Sequence, residues 1–192
     1  MIDILKSELA ACTFCEPHLP LGAKPIFNFS RSSKIILVSQ APGLLAHKSG
    51  VAYQDPSGVR LRAWLGVDEE TFYNDQHFAI MPMGFCYPGK GKSGDLPPRK
   101  ECAPLWHDRI WSQFSNVQLI LLIGQYAQKA YLKERAKRTL TLTVKAYAEY
   151  LPQYFPVVHP SPRNRFWHAK NGWFEEEVIP ELQRIVREII KD

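Results

Sequence analysis

The sequence predicts a three-layer α/β/α fold with a central, mainly parallel sheet. Two observations carry this prediction. Short, continuous apolar runs rich in Val, Ile and Leu, at 35–38 and 118–123, are typical of strands that are buried on both faces of a sheet. Amphipathic segments with helical spacing separate these runs, and an alternation of strands and helices along the chain is the pattern of α/β folds.

The predicted elements follow in chain order. Residues 2–11 have helical spacing, and an irregular connector rich in Pro and Gly follows at 16–33. Strands are predicted at 35–38, 77–83, 118–123 and 155–158. Further helices are predicted at 59–65, from Pro98 through Trp111, from 124 to about 133, near 144–150, and at 173–190.

Length and composition limit the possible function classes. The chain has 192 residues, so we expect a single domain over 1–192. The residues are 45% hydrophobic and 22% charged, which excludes a disordered chain, and the net charge of +5 favours a polyanionic partner. No apolar run approaches the roughly 20 residues of a membrane span, and no leader pattern precedes the first helix. We expect a cytoplasmic protein without membrane contact, and we expect a monomer.

The stretch 34–58 contains the first candidate ligand site. The strand at 35–38 ends at Ser39-Gln40-Ala41-Pro42-Gly43, where Pro removes an amide donor and Gly permits a positive φ, so the chain leaves the sheet abruptly. In open α/β sheets, ligands bind at the carboxyl ends of the strands. Gln40 and the loop that continues through Asp55 are therefore the first place to look for chemistry.

Two side chains are candidates for acid, base or donor roles. Asp55 lies before Pro56-Ser57-Gly58 and a predicted helix, so it is either a helix N-cap or a carboxylate that positions water or stabilises a cation. His159 follows the last predicted strand. It is either a loop residue whose polar atoms the backbone satisfies, or a donor to a leaving group, because imidazole titrates near neutrality.

The segment 160–168, PSPRNRFWH, combines basic and aromatic side chains and is predicted to be a loop. Basic groups interleaved with aromatic rings suit contacts with phosphates together with stacking or insertion among bases. The alternative is that Phe166 and Trp167 pack against the core beside the last helix.

Four cysteines suggest a shared cofactor. Cys12 and Cys15 form a CxxC pair after the first helix, and Cys86 and Cys102 flank a loop rich in Gly, Pro and Lys. The expected compartment argues against disulfides. Four thiolates suit either a [4Fe-4S] cluster or a structural zinc ion, and the spacing does not separate these two. Four ordinary buried thiols are the remaining alternative.

These motifs together resemble a known family. The sequences QAPG at 40–43, GVAYQDPSG at 50–58 and HPSPRN at 159–164, with the four cysteines, resemble the uracil-DNA glycosylase superfamily, especially its iron-sulfur families four and five. The resemblance extends across nearly the whole chain. It implies a uracil-DNA glycosylase-like fold and favours the [4Fe-4S] cluster over zinc.

The resemblance also implies a reaction and a partner. The protein would be a monofunctional DNA N-glycosylase of base excision repair, acting on DNA that contains a deaminated base. It would flip uracil or a related base out of the helix and hydrolyse the N-glycosidic bond.

Site roles follow from the same resemblance. Asp55 would orient the attacking water, and His159 would face the leaving base. Tyr53 would offer its ring as a stacking platform. The base-binding residues would be Gln40, Ala41, Pro42, Gly43 and Tyr53. The DNA-binding residues would be Ser161, Pro162, Arg163, Asn164 and Arg165. The metal ligands would be Cys12, Cys15, Cys86 and Cys102.

The sequence departs from the family pattern at two positions. Gln40 stands where family four usually has Glu, and a neutral amide cannot accept a proton from water. Pro82 stands where these families place an Asn that reads the base edge, and proline offers no such hydrogen bond. These departures keep open another damaged base as target, slow catalysis, or a non-catalytic nucleic-acid-binding member of the fold. An iron-sulfur redox protein unrelated to DNA is a third alternative.

Overall fold

A computed structural model describes residues 2–191 and contains a sheet of four parallel strands. The strands are β1 Ile35–Val38, β2 Phe78–Ile80, β3 Leu119–Ile123 and β4 Tyr154–Val157, in the spatial order β2-β1-β3-β4. In register, Ile36 lies opposite Ala79 on one side and Ile120 on the other, and Leu121 lies opposite Phe155. Every residue of β1 and β3 is buried, which explains their continuous apolar runs.

Helices cover both faces of this sheet. The α-helices are α1 Ile2–Ala10, α2 Leu44–Ser49, α3 Pro56–Leu65, α4 Glu69–Tyr73, α5 Cys102–Trp111, α6 Gln125–Leu132, α7 Leu140–Lys145, α8 Arg165–Lys170 and α9 Ile179–Lys191. A π-helical segment, Phe174–Val178, leads directly into α9. Short 3-10 segments lie at Glu16–His18, Lys133–Arg135, Tyr147–Tyr150 and Pro162–Asn164.

Two apolar clusters, one on each face, form the core. Because successive side chains of a strand point to opposite faces, Ile35 and Leu37 pack in one cluster while Ile36 and Val38 pack in the other. The first cluster contains the buried side chains of α3 and α9, and the second contains those of α1, α5 and α6. The predicted three-layer α/β/α fold is confirmed.

Several predicted boundaries were wrong. The helix predicted from Pro98 begins at Cys102, and the helix near 144–150 is divided between α7 and a 3-10 segment. Helix α8 begins at Arg165, so the segment 160–168 is a loop only in its first half. Helices α2, α4 and α8 were missed because five or six residues are too few to show a helical period. Within residues 2–191, no helix has the length and apolarity to cross a membrane.

A candidate active-site cleft at the carboxyl edge of the sheet

The strand order creates a crevice at one edge of the sheet. The chain runs from β1 outward to β2 and then returns across β1 to β3, so the connections after β1 and β3 leave in opposite directions. Such a switch point opens a crevice at the carboxyl ends of the strands, where ligands bind in open α/β sheets. We call the surface formed here by residues 39–43, 53–58, 89–96 and 159–165 the cleft.

A tight turn at 53–58 places Asp55 in the cleft. Asp55 is the N-cap of α3, and its Oδ1 accepts a hydrogen bond of 2.9 Å from the Gly58 backbone N–H. Tyr53 has a φ of 62°, an unusual value for a residue other than glycine. A Cβ atom on Gly58 would lie only 1.7 Å from the Tyr53 carbonyl oxygen, so the turn requires glycine there. The two interpretations of Asp55 are compatible, because the cap leaves the second carboxylate oxygen available.

The ring of Tyr53 belongs to the core as well as to the cleft. It is only 9% exposed, and it packs edge-on against Phe72 with a centroid distance of 5.8 Å. Its hydroxyl is buried and has no hydrogen-bond partner in the described part of the chain, although Ser39 lies beside it. Burial raises the pKa of this hydroxyl well above its usual value.

His159 enters the cleft from the end of β4. The Ser161 backbone N–H donates to His159 Nδ1 over 3.2 Å, and the Asn164 side chain donates to the His159 carbonyl over 2.7 Å. Because Nδ1 accepts a hydrogen bond, the neutral ring carries its proton on Nε2. Burial lowers the pKa of His159, and the nearby carboxylates of Asp55 and Asp95 partly offset this effect. At neutral pH the ring is therefore an uncharged Nε2–H donor.

Gln40 holds a second loop instead of pointing freely into the cleft. Its Nε2 donates to the Leu96 carbonyl over 3.1 Å. Residues 89–96 form a hairpin, with a bridge between Lys90 and Asp95 and a bond from the Leu96 N–H to the Gly89 carbonyl over 2.8 Å. We call this segment the 89–96 hairpin. Of the other predicted base-binding residues, Ala41 and Gly43 are partly buried and Pro42 is buried.

The hairpin contributes a carboxylate that sequence reasoning missed. The Asp95 Oδ2 atom lies 3.5 Å from the position that a Cβ atom on Gly43 would occupy. The charge of Asp95 also acts on His159, where it partly offsets the lowering of the imidazole pKa by burial. In the sequence, Asp95 is only a carboxylate within a loop rich in Gly, Pro and Lys. This local pattern does not show that the fold brings residues 43, 95 and 159 together.

The predicted DNA-binding residues at 161–165 form a short capped turn. Ser161 Oγ accepts a hydrogen bond from the Arg163 N–H over 3.2 Å, and the Ser161 carbonyl accepts one from Arg60 over 3.4 Å. Arg163 Nη1 reaches the Ser93 carbonyl over 3.4 Å. Pro162, Arg163 and Arg165 are exposed. The turn therefore presents two guanidinium groups to solvent beside the cleft.

The two aromatic residues that follow this turn have different environments. Phe166 is 67% exposed, and the Arg165 guanidinium lies 4.7 Å from the centre of its ring. Trp167 packs against the core, and its indole N–H donates to Thr141 Oγ1 over 2.8 Å. The packing interpretation therefore holds for Trp167, and Phe166 remains available for contact with a partner.

Exposed apolar side chains surround the cleft. Besides Phe166, they are Leu44, Leu45, Val59 and Leu96. Leu44 and Leu45 begin α2, Val59 lies in the first turn after Asp55, and the Leu96 carbonyl binds Gln40. This rim of apolar side chains beside exposed arginines is typical of surfaces that deform DNA.

Pro82, at the position where the family resemblance expects a base-reading Asn, has its carbonyl occupied. His107 Nε2 lies 3.0 Å from the Pro82 carbonyl, and His107 Nδ1 lies 2.8 Å from the Tyr131 hydroxyl. The Trp111 indole N–H donates to the same hydroxyl over 3.0 Å. These bonds form a chain from Trp111 through Tyr131 and His107 to Pro82.

The four cysteines line a different cavity, on the face of the sheet covered by α1 and α5. Cys12, Cys15, Cys86 and Cys102 line a small cavity of about 20 Å³. None of them is in a disulfide. The charge of each one, if ionised, would act on the other three. We call this cavity the cysteine pocket.

Burial opposes ionisation of the thiols in the cysteine pocket. It raises the pKa of Cys86 to about 11 and that of Cys102 to about 12, and it also raises the pKa of Cys15. The Phe85 N–H donates to Cys102 Sγ over 3.4 Å, and the charge of Arg99 partly offsets the rise in the pKa of Cys15.

The donor set of the pocket fits a group bound by four thiolates. A bound metal would favour the thiolate form that burial opposes. Within residues 2–191, no three His, Cys, Asp or Glu side chains are arranged as a site for a single ion.

One family comparison matches most of the chain. The model of the family described as the Uracil DNA glycosylase superfamily matches residues 27–183. The matched region contains every element of the cleft and two of the four cysteines, Cys86 and Cys102. It begins after Cys12 and Cys15.

Proposed function

Because the chain belongs to the uracil-DNA glycosylase superfamily, we propose that it excises uracil or a related deaminated base from DNA. Membership of the superfamily supports a DNA glycosylase-type function in general. The finer proposal depends on the convergence of Asp55, from the loop between α2 and α3, and His159, from the loop after β4. Burial lowers the pKa of His159, and the charge of the Asp55 carboxylate acts on the imidazole and partly offsets this effect.

The proposed reaction begins with extrusion of the nucleotide. Flipping a base costs a few kcal/mol of stacking and pairing, and the cost is smallest for a mismatched base. The exposed ring of Phe166 can fill the space that the base leaves, while Arg163 and Arg165 bind phosphates on either side. The apolar rim of the cleft then lies against the opened helix.

In the chemical step, the cleft stabilises positive charge on the sugar and negative charge on the departing base. As the bond between the sugar C1′ and the base nitrogen breaks, its electron pair leaves with the base, and positive charge develops on the sugar. The Asp55 carboxylate stabilises that cation and accepts a proton from the water that attacks C1′. The Nε2–H of neutral His159 donates a hydrogen bond to the departing base, which later takes a proton from solvent. This is hydrolysis by a monofunctional enzyme.

We further propose that the cysteine pocket holds a [4Fe-4S] cluster, with structural zinc as the alternative. The convergence of all four thiols on one cavity supports a four-thiolate ligand set of Cys12, Cys15, Cys86 and Cys102. When bound, the cluster supplies a cross-link between the segment after α1 and the loop before α5. Anaerobically purified protein should be brown, whereas colourless protein with stoichiometric zinc would contradict the cluster.

A monomeric state and a cytoplasmic location remain predictions.

A non-catalytic nucleic-acid-binding role is the second candidate. The observation that favours it is that polar groups at both departures from the family pattern are bound within the protein: Gln40 Nε2 donates to the Leu96 carbonyl, and the Pro82 carbonyl accepts from His107. This alternative predicts salt-dependent DNA binding without an abasic product, with affinity falling when Arg163 and Arg165 are replaced.

The decisive experiment is cleavage of a panel of oligonucleotides that contain uracil, hypoxanthine or xanthine. Asp55→Asn should lower the single-turnover rate by about 10²–10⁴-fold, because asparagine caps a helix as well as aspartate does but cannot take a proton. Asp68→Asn is the matched control. Asp68 caps α4 through the Thr71 N–H over 2.8 Å and lies outside the cleft. His159→Ala should also be impaired.

The outcomes separate the two candidate functions. A wild-type protein that binds these oligonucleotides but produces no abasic site from any of them would leave only the binding role. Full activity in Asp55→Asn would remove Asp55 from the mechanism.

A further inference from the structure

The 89–96 hairpin brings a carboxylate into the proposed base pocket. Asp95 Oδ2 lies 3.5 Å from the point where a side chain on Gly43 would begin, and the charge of Asp95 acts on His159. Gly43 and His159 belong to two different loops that we propose to line this pocket. A side chain that is close to both lies within it, and Asp95 is exposed and therefore accessible to a nucleotide.

Two side chains hold the hairpin in this position. Gln40 Nε2 donates to the Leu96 carbonyl over 3.1 Å, and Arg163 Nη1 donates to the Ser93 carbonyl over 3.4 Å. Glutamate at position 40 could not donate to the Leu96 carbonyl, and its charge would repel Asp95. The geometry thus gives a reason for glutamine at position 40, where family four usually has glutamate.

Deamination changes the hydrogen-bonding edge of a base in a way that a carboxylate can detect. Cytosine and adenine have a ring nitrogen with a free lone pair beside the exocyclic amino group. Uracil and hypoxanthine have a ring N–H at the same position, beside a carbonyl group. An ionised carboxylate only accepts hydrogen bonds, so one that faces the ring nitrogen pairs with the N–H of the deaminated base and is repelled by the lone pair of the parent base.

We propose that Asp95 reads this ring N–H and thereby selects deaminated bases over their parent bases, with Gln40 as the residue that positions it. The inference rests on the proposed function and deepens it. The substrate class is a base with a ring N–H on its Watson–Crick edge. Pro82 cannot provide this contact, because its side chain has no polar atom and its carbonyl binds His107.

The test measures binding to single-stranded oligonucleotides, in which no pairing has to be broken. Each carries one uncleavable 2′-fluoroarabino nucleotide with uracil, cytosine, hypoxanthine or adenine, and affinity is read by fluorescence anisotropy. The wild-type protein should prefer uracil over cytosine and hypoxanthine over adenine. Asp95→Asn should reduce both preferences by about 10- to 100-fold, because an amide can turn its NH₂ group toward the parent base. Asp3→Asn, an exposed change on α1, should leave them unchanged.

A double-mutant cycle tests the positioning role of Gln40. Gln40→Ala should lose part of the same preference, but it should lose little more when Asp95 is already Asn, because Gln40 acts through Asp95. Additive losses would overturn the role of Gln40. Circular dichroism of each variant checks that the fold is retained.

Binding preference and cleavage are separate readouts, so the two proposals can fail independently. If the wild-type protein cleaves deaminated DNA and Asp95→Asn keeps the full preference, the assignment of Asp95 is wrong and the glycosylase function stands. If the wild-type protein cleaves nothing but prefers uracil, and Asp95→Asn loses that preference, the assignment stands and the glycosylase function is wrong. A wild-type protein without any preference overturns the assignment in either case.

Discussion

The cleft and the cysteine pocket hold their functional groups in different ways. In the cleft, three polar side chains have backbone partners: Asp55 accepts from Gly58, His159 accepts from Ser161, and Gln40 donates to Leu96. In the cysteine pocket, apolar side chains of the core surround the thiols, and burial raises the pKa of three of them. The polar groups of the cleft are therefore held in place by the backbone, whereas the thiols of the pocket lie in surroundings that disfavour their charged form.

The two regions also differ in how much of each the family match includes. It contains the whole cleft but only two of the four cysteines, because Cys12 and Cys15 lie before residue 27. Two of the four thiols in the pocket therefore come from the segment after α1, which lies before β1 and outside the sheet. We expect the cleft to depend on its backbone geometry and the pocket to depend on its bound group.

The largest effect should come from Gly58→Ala, which tests the backbone of the cleft. The new Cβ atom would lie 1.7 Å from the Tyr53 carbonyl oxygen, so the turn that carries Asp55 must open. We expect a loss of more than about 4 kcal/mol in the free energy of unfolding, measured by urea denaturation. Activity should be lost with it.

Gly172→Ala is the matched control for this change. A Cβ atom there would meet only the end of the Glu176 side chain, at 3.6 Å, so stability should change little. A folded Gly58→Ala protein with normal activity would show that the cleft is not held by this turn.

The next effect should come from Cys86→Ser, which tests the pocket. If the pocket binds a cluster tightly, its loss removes about 3–4 kcal/mol of stabilisation, the value expected for a ligand present at roughly 100 to 1,000 times its dissociation constant. Hydrogen exchange should show faster exchange in α1, while the imidazole resonances of His159 stay in place. Thr13→Ser, within the CxxC turn, is the control. Equal loss of structure in both regions would contradict their independence.

The sequence predicted the parts of these regions that depend on local pattern. The apolar runs of β1 and β3 identified the sheet, and the loop after β1 identified the crevice. The 89–96 hairpin could not be predicted, because the contact between Gln40 and Leu96 joins residues 56 positions apart. The spacing of apolar residues along the sequence does not indicate a contact between residues so far apart. The separate environments of Phe166 and Trp167 likewise depend on the unpredicted helix α8.

A smaller effect should come from acid pH, acting through a buried histidine on the helix that carries Cys102. His107 lies on α5, which begins at Cys102, and it contacts the Pro82 carbonyl after β2. Burial lowers the pKa of His107 from 6.5, so the unfolded chain binds a proton at a higher pH than the folded protein. This contribution to stability is complete above pH 6.5 and is lost as the pH falls below it, at about 1.4 kcal/mol for each unit of pKa difference.

Urea midpoints between pH 8 and pH 5 measure this dependence. His47, His77, His159 and His168 also have lowered pKa values and add to the same trend. His107→Gln should reduce the pH dependence, and His18→Gln, at an exposed position, should not. A midpoint that rises on acidification would contradict the assignment of a neutral His107.

The smallest effect should separate two tyrosines beside the cleft. The buried Tyr53 hydroxyl has no hydrogen-bond partner among the described residues, whereas the Tyr73 hydroxyl donates to the Ala52 carbonyl over 2.7 Å. Tyr53→Phe removes an unpaired buried polar group, so stability should stay the same or rise by up to about 1 kcal/mol. Tyr73→Phe leaves a carbonyl without its donor and should cost about 1 kcal/mol. Because phenylalanine keeps the ring, Tyr53→Phe should also retain base stacking and activity. A clear loss of cleavage in Tyr53→Phe with unchanged stability would mean that the Tyr53 hydroxyl binds the substrate. In that case the hydroxyl lacks a hydrogen-bond partner only while no base is bound.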